Sequence, residues 1–121
     1  MYVMKIAPGK DPKIINCDCS LKSLQTLVGG SPHKLSLIHD YQRDFPNAVM
    51  LVNKDCKALA LPRNPIADQI VSLEDDSILG TVLIVNTDNG KYIGFDDAEA
   101  DTLVEYMERD LNIEVEIEKR G

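Results

Sequence analysis

Two continuous, largely apolar runs constrain the fold of this chain more than anything else in it: residues 47–53, Asn47-Ala-Val-Met-Leu-Val-Asn53, and residues 78–86, from Ile78 to Asn86. A strand with one wet face alternates apolar and polar side chains. These runs hardly alternate, which is the pattern of strands covered on both faces, and they are the expected centre of a sheet. Residues 2–7 read as a first strand stopped by Pro8-Gly9, with residues 13–17 as its hairpin partner after Asp11-Pro12. Residues 34–41 read as a further strand, ended by the polar Gln42-Arg43-Asp44 before Phe45-Pro46. A polar turn over 53–57 leads to a short strand over 58–61. Pro62, Asn64 and Pro65 then break regular structure, and 66–71 form a helical turn or an extended strap. Asp88-Asn89-Gly90 is a tight-turn signal that returns the chain as a strand over 91–95.

Helices announce themselves by their ends. Ser20 is a good N-cap, Leu21, Leu24, Leu27 and Val28 share one helical face, and Gly29-Gly30 supplies the positive φ that stops such a helix. Asp96 with Glu99 makes an aspartate variant of the capping box. Behind it Ala100, Leu103, Val104, Met107 and Leu111 fall on one stripe, while Asp97, Asp101, Glu105 and Glu108 face elsewhere. At the C-terminal end Ile113, Val115 and Ile117 alternate with Glu114, Glu116 and Glu118, the pattern of a half-buried strand showing carboxylates to water. These elements predict one compact α+β domain over residues 1–121: a single twisted, largely antiparallel or mixed sheet with two to three packed helices. A chain of 121 residues buries roughly two-thirds of its unfolded surface, so neither a metal nor a disulfide is needed to stabilise it.

The net charge of −7 is unevenly placed. Residues 1–95 carry ten basic and ten acidic side chains, whereas residues 96–121 carry three and ten. A neutral body with an acidic end offers no basic stripe to follow a phosphate backbone, so nucleic acid is not an expected partner. No run approaches the ~18 apolar residues that span a bilayer, and no charged-then-apolar leader opens the chain, which predicts a cytoplasmic protein without a membrane partner.

Several short pieces in a fixed order carry a resemblance. They are Leu24-Gln25-Thr26-Leu27-Val28-Gly29-Gly30, Val52-Asn53, Leu61-Pro62-Arg63-Asn64 and Ile78-Leu79-Gly80-Thr81. Together they cover roughly residues 1–90 and resemble the family of domain of unknown function 3846, small phage and bacterial proteins. The resemblance implies a compact α+β fold and an origin in a phage or similar mobile element, and it brings no activity with it. Lys54 and Pro65 stand where that pattern more often has an acidic residue and a basic or small one.

Chemical groupings are sparse. Cys17-x-Cys19, with Cys56 and His33 or His39, has the wrong spacing for a structural zinc site, and three cysteines suit a reducing compartment better than a disulfide framework. No strand-elbow-helix motif surrounds a serine or cysteine, so no catalytic residue, metal or cofactor is expected. Glu74-Asp75-Asp76 reads as a solvated turn. Gly29-Gly30 follows a helix and so is not a phosphate loop; Gly80 marks a bulge or a close approach of another group. The loop from Leu61 to Pro65 is stiffened by two prolines, and Arg63 offers a five-donor fork. Asn64 offers donor and acceptor, although it equally suits the cap of a following helical turn. The expectation is a non-enzymatic interaction protein acting on a host protein through Glu114, Glu116 and Glu118. The alternative is a small-ligand binder, for instance of nucleotides, using Asn53, Arg63 and Asn64.

Overall fold

The N-terminal hairpin is the frame on which the sheet grows. In the computed structural model, which describes residues 1–71 and 77–118, β1 (Tyr2–Ile6) and β2 (Lys13–Asn16) pair antiparallel with Tyr2 opposite Asn16 and Lys5 opposite Lys13. There follow α1 (Leu21–Val28), β3 (Pro32–Ser36), α2 (His39–Asp44), β4 (Ala48–Asn53), α3 (Pro65–Asp68), β5 (Val82–Asp88), β6 (Lys91–Ile93), α4 (Asp97–Leu111) and β7 (Glu116–Ile117). The strands form one sheet in the order β3-β4-β5-β1-β2-β7, with β6 on β5. Every pairing is antiparallel except β2 with β7, so the sheet is mixed and the class is α+β. Asn89 and Gly90, with φ of 49° and 81°, make the two-residue turn between β5 and β6, the positive pair that matches the twist of a hairpin.

The apolar runs sit where their pattern requires. On one face Val3, Leu51, Leu83 and Val85 pack with Leu24 and Val28 of α1. On the other, Met4, Ile6, Met50, Val82 and Ile84 pack beneath the larger cluster that includes Tyr41, Ala67, Leu103 and Met107 from α2, α3 and α4. Both helix starts read from sequence are present: Ser23 N–H donates to Ser20 Oγ at 3.2 Å, and Asp96 and Glu99 complete a reciprocal capping box. Gly29 ends α1 in the left-handed conformation, its N–H donating to Gln25 O at 2.9 Å. Burial of Leu103 and Met107, both fully inaccessible, fixes α4 to the sheet at roughly 1.5–3 kcal/mol for each side chain.

Five expectations need correction. The strand expected over 34–41 ends at Ser36, and α2 follows. Tyr41 and Phe45 are four residues apart, and only a helical turn sends both into the core, where Tyr41 meets Tyr106 at 4.7 Å between ring centroids and Phe45 meets Phe95 at 6.4 Å. The strand expected over 58–61 is instead a series of turns. Cys56 N–H bonds Asn53 O, Leu59 N–H bonds Asp55 O and Leu61 N–H bonds Cys56 O, all local, and Ala60 takes a φ of 50°. The second apolar run enters the sheet only at Val82, because Gly80 turns the backbone at φ 84°. The C-terminal alternation holds at Val115, which is buried, but β7 is two residues long and Ile117 is 47% exposed. Helices number four among the described residues, since α2 and α3 are single turns too short to show periodicity. Among the described residues no helix is long and apolar enough to cross a membrane.

Candidate functional site

The loop expected to bind a ligand is built as a clasp. Arg63 bridges Leu79, Asn64 N–H donates to Ile78 O at 2.8 Å, and Gly80 N–H donates to Pro62 O at 2.7 Å. Gly80 is the close approach its position suggested: a Cβ there would lie 2.7 Å from Leu61 Cδ1. Asn64 is 1% exposed. Its Nδ2 donates to Ile6 O and to Gly80 O, each at 2.9 Å, and its Oδ1 accepts Ala67 N–H at 3.3 Å, capping α3. Both amide hydrogens are therefore committed to the fold, and a ligand at Asn64 would have to break bonds joining β1, α3 and the entry to β5. The cap, not the ligand contact, describes this residue. Arg63 beside it is exposed.

Asn53 closes β4 and is also 1% exposed. Its Oδ1 accepts Asp55 N–H at 2.9 Å, and its carboxamide lies against Gly30 so closely that a Cβ there would stand 2.9 Å from Oδ1 and 3.0 Å from Nδ2. This contact explains the second glycine of the pair, which no helix-stop rule required. Asn53 lines two cavities of about 360 and 270 Å3, neither of which includes Arg63 or Asn64. The three residues do not converge on one site.

The acidic end is displayed on two exposed segments. Asp97, Asp101 and Glu105 follow one another at four-residue intervals along the outer face of α4, all exposed, and Glu114, Glu116 and Glu118 are exposed beyond it. Glu116 lies in register with Lys13, its carboxylate 3.6 Å from Nζ, and Glu118 lies at 4.0 Å. Lys13 faces Lys5 directly across the hairpin, a like-charge pair that is unfavourable on a sheet. The carboxylates of β7 offset it. The two outer glutamates of the triad thus take part in holding the sheet edge, while Glu114 and the α4 row are displayed outward. Arg109 is the one basic residue between 96 and 118; it sits 3.5 Å from Asp110 and 5.0 Å over the Tyr106 ring.

Cys17, Cys19 and Cys56 are free thiols. Among the described residues no three His, Cys, Asp or Glu side chains assemble as metal ligands; Glu74, Asp75 and Asp76 lie outside the described residues. Two sequence neighbours are coupled in a way that spacing alone hides. Cys19, with φ 57°, turns back so that its N–H donates to Cys17 Sγ at 3.3 Å. The bond from Ser20 N–H at 2.9 Å, with the Ser23 and Ser20 hydroxyls, holds the Asp18 carboxyl below its ordinary value. The only sequence hint was the Cys-Asp-Cys-Ser order before a helix cap.

The chain belongs to the family described as Domain of unknown function (DUF3846), whose model matches residues 1–109. No curated protein and no solved structure matches it.

Proposed function

We propose that this domain is a non-enzymatic interaction module whose acidic α4 face recruits a basic segment of a partner, a host protein of the phage or mobile element that encodes it. The observation that carries the reading is the exposed row Asp97, Asp101 and Glu105, extended by Glu114, on a stretch holding ten acidic side chains and one arginine between 96 and 118. Charge of one sign on a rigid helix steers a counter-charged partner and fixes its register more than it adds affinity. The helix is rigid for this purpose because Leu103, Val104 and Met107 anchor its inner face. The Glu116–Glu118 pair contributes less, being partly neutralised by Lys13. The small-ligand alternative, for instance a nucleotide, now rests on Asn53 and exposed Arg63 alone.

The test is capture from the host with the whole chain, then identification of the partner by native mass spectrometry. Asp101→Asn with Glu105→Gln and Glu114→Gln removes three outward charges and leaves the core and the capping box intact. Capture by this variant should weaken by roughly 3- to 150-fold at low salt, at roughly 0.2–1 kcal/mol for each of the three exposed charges, and its salt dependence should flatten. A partner held equally by the variant but lost on Arg63→Ala would overturn the acidic face and move the reading to the loop.

A further inference from the structure

We infer that Cys17 and Cys19 form a redox-active dithiol that exchanges with small disulfides and closes to an intramolecular disulfide. The chain leaves β2 through a tight turn in which Cys19 adopts a φ of 57°, a conformation that residues with a side chain seldom take and that collects at working sites. The turn folds the second cysteine over the first. Cys19 N–H donates to Cys17 Sγ at 3.3 Å, and Cys19 Sγ lies 3.9 Å from Cys17 O. Cα atoms two residues apart span at most about 7 Å even in extended chain, against an upper limit near 6.8 Å for a disulfide, so a turn suffices to bring the pair within range.

The two thiols are not equivalent. Burial, with the Cys17 thiol next to it, pushes Cys19 up to about 12, so Cys19 keeps its proton. Cys17 Sγ receives the Cys19 backbone N–H, and the Cys17 N–H donates to Met1 O at 3.0 Å, which fixes the backbone beside the pair. Although Cys17 is only 8% exposed, it lines an open cavity of about 450 Å3 with Lys22, Ser23 and Thr26, which gives a small disulfide a way in.

The chemistry balances with one small disulfide as oxidant. Cys17, having released its proton to solvent, attacks one sulfur of the disulfide; a mixed disulfide forms and one thiolate leaves. Cys19 transfers its proton to that thiolate and attacks Cys17 Sγ, expelling the second thiolate, which takes a proton from solvent. Two protein thiols are oxidised and one small disulfide is reduced to two thiols. Cys56, which is half-buried and free, serves as the internal reference.

The whole reduced protein is incubated with oxidised glutathione, quenched in acid, and followed by thiol titration after denaturation and by peptide mass. The titre should fall from the three free thiols to one, and the peptide spanning residues 14–22 should lose two hydrogens without gaining glutathione, before Cys56 is capped. Cys19→Ser should instead trap glutathione stably on Cys17. Even capping of all three thiols, capping of Cys56 with no ring between Cys17 and Cys19, or no loss of thiol at all would each overturn the proposal.

Discussion

Replacing Asn64 by Ala separates a loop that binds from a loop that holds the fold. The substitution removes the two donors to Ile6 O and Gly80 O and the acceptor for Ala67 N–H, all inside a region where Asn64 is 1% exposed. A buried backbone group left without a partner costs roughly 1–3 kcal/mol. Three such groups, reduced by local relaxation and by overlap with the lost helix cap, give about 3–5 kcal/mol, a large part of a domain stability of roughly 5–15 kcal/mol. Equilibrium urea unfolding followed by circular dichroism should show the midpoint falling with an unchanged slope. Arg63→Ala, one residue away and exposed, should stay within about 0.5 kcal/mol. Asn64→Asp sharpens the comparison, because it keeps shape and the acceptor but sets a buried carboxylate against two carbonyls. It should be at least as damaging as alanine at neutral pH. Burial raises the folded-state value of such a carboxyl, so stability is greatest below the unfolded value and is lost as pH rises through the folded one. A loss under about 1 kcal/mol for Asn64→Ala, or a mild aspartate variant at neutral pH, would refute the reasoning.

Leu103→Ala and Met107→Ala, at fully buried positions, should each cost about 2–5 kcal/mol in urea unfolding; values within the surface range for both would mean that α4 is not docked on the sheet. Tyr41→Phe removes the buried side-chain oxygen that lacks a hydrogen bond among the described residues and should be neutral or stabilising by up to about 1 kcal/mol; a clear loss of stability would show that the hydroxyl has a partner. Asp18→Asn tests a carboxylate held below its ordinary value of 3.8 by Ser20 and Ser23. The charged form contributes stability above the unfolded value and loses it as pH falls through the lowered folded one, so the wild type should exceed the variant at neutral pH and converge with it in acid. A difference that stays constant through the acid range would contradict this. Gly30→Ala drives a methyl into the Asn53 carboxamide and should destabilise by roughly 1–3 kcal/mol, an effect absent if Asn53 can swing away.

What was legible in the sequence was whatever is decided within one or two turns of chain. Ser20, Gly29, Asp96 with Glu99, and Asn89-Gly90 act through bonds to near neighbours, and each is where its residue type places it. The continuous runs 47–53 and 78–86 also announced their two-sided burial, because lack of alternation survives any strand order. What failed was short or non-local. α2 was hidden because Leu35, Leu37 and Ile38 prolong the apolar pattern of β3, and one helical turn has no periodicity with which to compete. The strand order β4-β5-β1 joins segments far apart in the chain, and no local signal encodes it. The C-terminal alternation promised three inward apolar residues but only Val115 is buried, since β7 lies at the sheet edge with nothing beyond it among the described residues to cover Ile117.

At the candidate loop the sequence left two roles open for Asn64, ligand contact or helix cap, for a related reason. An amide side chain in a proline-stiffened loop offers the same donors and acceptors to a ligand as to the backbone, so residue type alone cannot choose between them. Burial chooses. Asn64 closes the junction of β1, α3 and the entry to β5, and Asn53 closes the corner where β4 meets the end of α1, with Gly30 shaped to fit it. These positions are the same ones that make up the family resemblance: Gly29-Gly30, Asn53, Leu61-Pro62-Arg63-Asn64 and Gly80 touch one another through Asn53 against Gly30, Leu61 against Gly80, and Asn64 to Gly80 O. In this chain these residues therefore describe how the sheet and its connections lock together. The proposed partner contact lies instead on the exposed outer face of α4, and the proposed thiol exchange in the strained turn where Cys19 N–H meets Cys17 Sγ before α1.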